Sequence, residues 1–243
     1  NDFLPADTLQ NRFPVTFSGH ETVKHILETM GVPHTEVDLI LVNGESVGFD
    51  RQIEEGDRVS VFPVFESLDI SRLTEVRPEP LREPKFVLDN HLGKLAGYLR
   101  LLGFDTRYEN DYQDPQLAKI SQEEDRILLT RDRGLLKRKV VSHGYCVRED
   151  NPQDQIIEIL RRFDLAPLAQ PYSRCARCNG YLQPAEKEEI VHHLEPLTKE
   201  YYDDFMQCEH CGQVYWRGSH FEDLNEFLNH VVKEADRSSH EKK

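Results

Sequence analysis

The central part of the chain alternates four times between a short apolar segment and an amphipathic one. Its first unit, Phe86 to Leu102, reads FVLDNHLGKLAGYLRLL, in which three apolar residues run into Asp89 and leucines then recur at helical spacing. The same order recurs three times between residues 104 and 163. Strands that alternate with helices favour a mostly parallel sheet covered by helices on both faces. We therefore predict a three-layer α/β domain over residues 85–166.

Residues 1–76 indicate a smaller α+β module of strands around one helix. The predicted elements are strands over 13–17, 36–42 and 58–62, a helix over 20–30, and a hairpin turn at Asn43-Gly44. This order, ending in EEGDRVSVFPVF, resembles the ubiquitin-like β-grasp fold of the sulfur carriers. Those carriers end in a Gly-Gly tail that is adenylated, whereas this chain has Phe65-Glu66-Ser67 there and continues. We therefore expect an accessory binding domain and no sulfur-carrier chemistry.

The remaining segments divide the chain further. Three prolines between residues 77 and 84 predict a stiff linker. Two C-x-x-C pairs define a small domain over residues 167–221, and residues 222–243 predict a C-terminal helix that ends in a disordered tail from residue 237. The expected order is thus β-grasp module, linker, α/β domain, cysteine-rich domain and helix.

Composition excludes several classes of protein. No apolar run approaches the roughly 18–20 residues that span a bilayer, so we expect no membrane association. No secretory signal is visible, and four of the five cysteines form C-x-x-C pairs, which is typical of a metal site in a reducing cytoplasm. The net charge of −14 argues against a chain that coats itself in nucleic acid, but residues 81–164 hold 15 basic and 15 acidic residues. The middle domain therefore has enough basic residues to bind a polyanion, although the whole chain is acidic.

An acid follows each predicted strand of the middle domain. These acids are Asp89, Asp111, Asp132 and the pair Glu149 and Asp150. Ligands of parallel sheets gather beyond the carboxyl ends of the strands, and carboxylates gathered there would need a cation such as Mg²⁺ or Mn²⁺. A second interpretation is that each acid only caps a helix, since Asp89 and Asp132 both precede one.

The cysteines predict a closed zinc site. Cys175 and Cys178 form one knuckle, and Cys208 and Cys211 form the other, with 29 residues between them. Four sulfurs suit tetrahedral Zn²⁺ in a structural role. Each pair is closely followed by a glycine, which permits the left-handed turn that aims backbone N–H groups at the sulfurs.

Several long motifs of this chain resemble the Mut7-C family. They are Asp89 followed by LGKLAGYLRLLGFDT, then ILLTRDRGLL, RCARCNG and CEHCGQVYWRGSH. The resemblance implies a PIN-like ribonuclease domain with a zinc ribbon, accompanied by a β-grasp module. It also implies metal-dependent RNA cleavage with Asp89 and Asp132 as metal-binding acids. The pair Asn90-His91 departs from the residues that often follow the first acid in the family.

A set of side chains completes the predicted site. The catalytic set is Asp89, Asp132, Asp111, Asp150 and Lys94. The residues predicted to bind RNA are Arg100, Arg131, Arg133, Lys137, Arg138, Trp216, Arg217 and His220. The alternative for the basic run RDRGLLKRK is a solvated helix face. Trp216 and Tyr215 could stack on unpaired bases. The alternative for Trp216 is that it anchors the ribbon.

The sequence therefore predicts a cytoplasmic, metal-dependent ribonuclease with structural Zn²⁺ and catalytic Mg²⁺ or Mn²⁺. Its expected partners are RNA, including tRNA or other structured RNA, and a protein bound through the β-grasp domain. One alternative is a non-catalytic RNA- or ribosome-binding adaptor whose acids are caps. Another is a phosphoacceptor or nucleotide-binding domain, against which stands the absence of a Gly-rich phosphate loop after Phe86–Leu88.

Overall fold

The computed structural model describes residues 3–5, 8, 11–63, 75–76 and 84–240. The segment Phe65-Glu66-Ser67, most of the predicted linker and residues 241–243 lie outside this range. The helices are α1 Val23–Thr29, α2 Gly93–Leu101, α3 Asp114–Glu123, α4 Arg133–Leu136, α5 Pro152–Arg162, α6 Lys187–Ile190, α7 Pro196–Tyr201 and α8 Ser219–His240. The strands are β1 Val37–Val42, β2 Glu45–Ser46, β3 Val59–Pro63, β4 Phe86–Leu88, β5 Thr106–Arg107, β6 Ile127–Thr130, β7 Gly144–Cys146, β8 Leu182–Ala185, β9 Phe205–Cys208 and β10 Val214–Trp216.

The strands of the described residues form three sheets, which confirms the predicted fold class. The middle sheet has four parallel strands in the order β5-β4-β6-β7. All residues of β4, β6 and β7 are buried. This burial explains their apolar runs, because a strand covered on both faces has no polar face to alternate with.

An antiparallel sheet in the order β2-β1-β3 forms the N-terminal module. The β1–β2 hairpin turns at Asn43 and Gly44, whose φ angles of 55° and 94° match the predicted turn. The strand predicted over 13–17 is wrong, because those residues take no strand conformation. Phe13 and Val15 are 37% and 42% exposed, so their alternating pattern does not bury a face against the sheet.

A third sheet, in the order β10-β9-β8, carries the cysteines and is antiparallel. We call this sheet with its two C-x-x-C loops, residues 172–216, the cysteine ribbon. Helix α8 follows it and continues to His240, so the tail predicted to be disordered from residue 237 is helical as far as residue 240.

The chain forms two compact units, residues 1–84 with 113–146 and residues 85–112 with 147–243. In the first unit the N-terminal module is joined to the end of β7, where the Glu36 carboxylate accepts the Cys146 N–H at 2.7 Å. Nearby, His34 Nε2 donates to the Val141 carbonyl at 2.8 Å, and burial, foremost, lowers the pKa of this histidine. No helix in the described part of the chain is long and apolar enough to cross a membrane.

Candidate functional site

The four paired cysteines lie together in the cysteine ribbon. Their Sγ atoms all lie within 4.8 Å of one another, with Cys175 and Cys211 at 3.7 Å and Cys178 and Cys208 at 3.4 Å. A tetrahedral zinc ion with Zn–S bonds of about 2.3 Å would hold its sulfurs roughly 3.8 Å apart. The four sulfurs therefore fit a single tetrahedral metal ion.

The two knuckles reach this geometry by different backbone routes. In the second, Gly212 takes the left-handed turn with φ 70°, as predicted. In the first, Asn179 takes it instead, with φ 71°, so the turn expected of the glycine falls one residue earlier. Gly180 is required for space, because a Cβ there would lie 2.9 Å from Cys208 Sγ and 2.8 Å from His210 Cβ.

Tyr215 contributes to the sulfur cluster. Its hydroxyl lies within hydrogen-bond distance of Cys175 Sγ at 3.1 Å, and burial raises the pKa of the phenol. Burial opposes ionisation of Cys175, but the Tyr215 hydroxyl and backbone N–H groups of the knuckle bring the pKa of its thiol down to about 7. The stacking role considered for Tyr215 is therefore replaced by a role at the cysteines.

Arg100 is buried and binds backbone carbonyl groups. It is only 5% exposed, and its Nε donates to the Thr106 carbonyl at 2.9 Å. Its Nη1 donates to the carbonyls of Ala176 and Arg177 at 3.1 and 2.9 Å, inside the first knuckle. A buried guanidinium needs such acceptors, and here they hold the cysteine ribbon against strand β5. The prediction that Arg100 binds RNA is corrected on this ground.

Asp89 directly follows strand β4 and is 8% exposed. Its Oδ1 accepts the Asn90 N–H at 2.7 Å and caps the short turn Asn90–Leu92 that leads into α2. Tyr108 secures this turn, because its hydroxyl donates to the Asn90 carbonyl at 2.8 Å. Gly93 makes room for that hydroxyl, which would lie 2.6 Å from a Cβ. The backbone around Asp89 is thus fixed from two sides.

Asp132 follows strand β6 and is exposed. Its Oδ1 accepts the Gly134 N–H at 2.6 Å, so it caps α4, while its own N–H donates to Thr130 Oγ1 at 3.0 Å. Both leading acids are therefore helix caps, as the second interpretation expected. A cap bond occupies one carboxylate oxygen and orients the other, so capping does not by itself decide against metal binding.

The other members of the predicted catalytic set are exposed. Asp111, Asp150 and Lys94 all lie at the surface. Among the described residues, the group of three or more ligand side chains that could hold a metal ion is the four cysteines. The carboxylate ligands thus stay a prediction.

The basic run after β6 makes specific contacts. The guanidinium carbon of Arg133 lies 4.8 Å from the centre of the Phe3 ring, and Lys137 Nζ donates to the Glu28 carbonyl at 2.6 Å. Arg138 pairs with Asp114 at 3.2 Å. Lys137 therefore contacts the N-terminal module, and its role in RNA binding stays a prediction. Arg131 and Arg133 remain exposed.

The end of the cysteine ribbon keeps part of its predicted surface. Trp216 is 39% exposed on β10, and Arg217 is exposed beside it. His220 lies in α8, where its side chain is not described. Sequence reasoning missed Arg174, Asn179 and Tyr181, which surround the first knuckle. The sequence feature that points to this region is its charge, because residues 165–185 contain two arginines and no acid.

Comparison with known proteins places this combination of sheets and cysteines in a nuclease family. The chain belongs to the Mut7-C family, because the family model of the Mut7-C RNAse domain matches residues 84–228. The Mut7-C ubiquitin model matches residues 1–69.

A human relative, "Exonuclease mut-7 homolog", is 35% identical over 106 residues, which cover 41% of this chain and 12% of that protein. The chain thus spans a small part of the length of this relative. No solved structure matches the chain.

Proposed function

We propose that this protein is a ribonuclease that hydrolyses RNA phosphodiester bonds with a divalent metal ion held by Asp89 and Asp132. Membership of the Mut7-C RNAse family is the observation that carries this proposal. The human relative, whose name describes an exonuclease, supports the same class of chemistry. The positions of the two acids agree with it, because each follows a strand of a parallel sheet at its carboxyl end.

The donor chemistry of these acids suits Mg²⁺ or Mn²⁺, which prefer carboxylate oxygens and retain bound water. In each acid the Oδ1 atom is fixed by a backbone N–H, so the carboxylate is oriented before any ligand arrives. A metal ion bound there would lower the pKa of a water molecule and stabilise the charge that develops on the phosphate. Asp111 or Asp150 would supply a further oxygen ligand.

The basic side chains that remain exposed would position the RNA backbone. Lys94 lies near the start of α2, and Arg131 and Arg133 flank Asp132. Cations next to a carboxylate site attract phosphates without reading base sequence. Trp216 and Arg217 offer a second surface on the cysteine ribbon. With both surfaces, the enzyme would bind structured RNA such as tRNA.

We assign Zn²⁺ to the four cysteines in a structural role. The spacing of the sulfurs suits zinc, and the position is closed by four protein ligands with none left for substrate. The zinc would hold the first knuckle in the form whose Ala176 and Arg177 carbonyls accept hydrogen bonds from Arg100. The protein would act in the cytoplasm, where its thiols stay reduced, and its N-terminal module would bind a protein partner.

A non-catalytic RNA-binding adaptor is the competing function, and the helix-capping bonds of Asp89 and Asp132 are compatible with it as well. A cleavage assay with the full chain distinguishes the two. Protein that retains its zinc is incubated with structured and single-stranded RNA, first without Mg²⁺ or Mn²⁺ and then with increasing amounts of either. The ribonuclease proposal expects cleavage that appears with the added ion, whereas an adaptor binds RNA and leaves it intact at every concentration.

A further inference from the structure

An exposed tyrosine is held rigidly in the cysteine ribbon. Tyr181 is 54% exposed, and the guanidinium carbon of Arg174 lies 4.3 Å from the centre of its ring. Arg174 Nη2 also donates to the Tyr181 hydroxyl at 3.0 Å. Because the guanidinium covers one face of the ring, the exposed area belongs to the opposite face and the edge.

The arginine behind the ring is itself immobilised. Its Nε donates to the Gly103 carbonyl at 3.2 Å and its Nη1 to the Asn179 carbonyl at 2.9 Å. The Arg174 side chain is 13% exposed and lies 3.9 Å from the Asp105 carboxylate. The ring therefore rests on a fixed support and loses little freedom when a ligand covers its open face.

The backbone of Tyr181 is fixed by both knuckles. It forms an antiparallel bridge with Arg174, just before Cys175, and its carbonyl accepts the Glu209 N–H at 3.1 Å, just after Cys208. The metal-binding loops thus hold the ring from two directions. An aromatic side chain used only for packing would instead be covered by its neighbours.

The segment that carries this ring is basic in sequence; of its two arginines, Arg174 is already paired with Asp105 at 3.9 Å, so Arg177 is the exposed cation for an anionic ligand. Residues 165–185 carry Arg174 and Arg177 and no acid, although the whole chain has a net charge of −14. Arg177 is exposed and can meet phosphate. Tyr201 is an exposed tyrosine in an acidic segment. It is 68% exposed on α7, and residues 186–204 around it hold seven acids and two lysines.

We propose that Tyr181 is a stacking platform for an unpaired base of the RNA substrate, with Arg177 contacting the adjoining phosphate. The platform rests on the proposed RNA substrate and extends it, because it specifies a single-stranded stretch of RNA next to the first knuckle. Every base offers a flat face, so such a platform binds single strands with little sequence preference.

Tyr181→Ala tests the platform, and Tyr201→Ala is the matched control because it removes a tyrosine that is even more exposed, at 68% against 54%, from acidic surroundings. Binding of the full chain to a short fluorescein-labelled oligouridylate is measured by anisotropy without added Mg²⁺ or Mn²⁺, so that no cleavage interferes. We expect Tyr181→Ala to weaken binding by roughly 5- to 150-fold, the range measured for one stacked base. Tyr201→Ala should bind as the unaltered protein does.

Tyr181→Phe keeps the ring and loses only its hydroxyl bond to Arg174, so its affinity should stay within about threefold of the unaltered protein. Zinc content is determined for each variant to exclude damage to the ribbon. A 2-aminopurine in the oligonucleotide should lose fluorescence on binding, and Tyr181→Ala should prevent that loss. Equal affinity of Tyr181→Ala and unaltered protein overturns the platform and leaves a protein-binding surface in its place.

The platform and the ribonuclease proposal fail separately. Unchanged binding by Tyr181→Ala, combined with metal-dependent cleavage, removes the platform and keeps the enzyme. Weakened binding, combined with no cleavage at any metal concentration, keeps the platform and supports the adaptor.

Discussion

The two candidate metal centres differ in how closely the protein gathers and fixes their ligand atoms without a metal ion. The four cysteine sulfurs lie within 4.8 Å of one another on loops held by backbone and side-chain hydrogen bonds. Asp89 and Asp132 each accept a cap bond from a backbone N–H and gather no comparable cluster of ligand atoms among the described residues. The difference is the one expected between a closed structural site and a site that keeps positions open for water and substrate. Substitutions at the two centres test whether the cysteines maintain stability and the acids maintain activity.

Loss of one sulfur should have the largest effect. Cys208→Ser should abolish stoichiometric zinc binding and unfold the cysteine ribbon, because structural zinc contributes on the order of 10 kcal/mol to the folding of small zinc domains. Metal analysis gives the zinc content, and amide hydrogen exchange reports the ribbon. Cys146→Ala is the control, since that cysteine lies in β7 outside the cluster. One zinc per chain retained in Cys208→Ser would contradict the four-sulfur site.

Arg100→Met should destabilise the protein by about 2–4 kcal/mol, because it removes the donor of one buried carbonyl group and of several partly buried ones. Urea unfolding measures this loss. The exposed Arg131→Met should change stability by no more than about 0.5 kcal/mol. RNA affinity should follow the reverse order, with Arg131→Met weaker than Arg100→Met at temperatures where both are folded. Weaker RNA binding by Arg100→Met without loss of stability would restore its predicted role at the RNA.

Substitutions of Asp132 should have the smallest effect on stability, and they distinguish a helix cap from a metal ligand. Asparagine caps a helix about as well as aspartate, whereas alanine costs about 1 kcal/mol. Asp132→Asn should therefore unfold at nearly the same urea concentration as the unaltered protein, and Asp132→Ala at a lower one. Both should lose RNA cleavage, because neither supplies a carboxylate. Full cleavage by Asp132→Asn would show that Asp132 is a cap alone.

Local periodicity was enough to predict the parallel sheet and the cysteine site. The apolar run of β4 and the leucines of α2 are short-range patterns, and the paired cysteines specify their own spacing. The prediction for Arg100 was wrong because its partners are distant in sequence, and the contact of Lys137 with Glu28 was missed for the same reason. Arg100 meets carbonyls 76 and 77 residues away, and Lys137 meets a carbonyl 109 residues away. A basic residue on a helix looks solvated until the domain that covers it is known.

The predicted strand at residues 13–17 failed for a related reason. Its alternating pattern is a property of the segment, whereas a strand exists only where another strand accepts its hydrogen bonds. Asp89 and Asp132 show the same limit in the candidate site. Their positions after strands were predictable, but a cap and a metal ligand favour the same residue at the same place, so only chemistry distinguishes them.

The rate of RNA cleavage by Asp89→Asn tests the central claim most directly. The substitution keeps an oxygen that can accept the Asn90 N–H and removes the charge that a metal ion requires. Unaltered protein, Asp89→Asn and the exposed control Asp204→Asn are compared at saturating Mn²⁺, with zinc content and unfolding midpoint measured for all three. We predict at least a roughly 100-fold slower cleavage for Asp89→Asn alone, with one zinc per chain and a normal midpoint. Cleavage by Asp89→Asn at the rate of the unaltered protein would contradict the account.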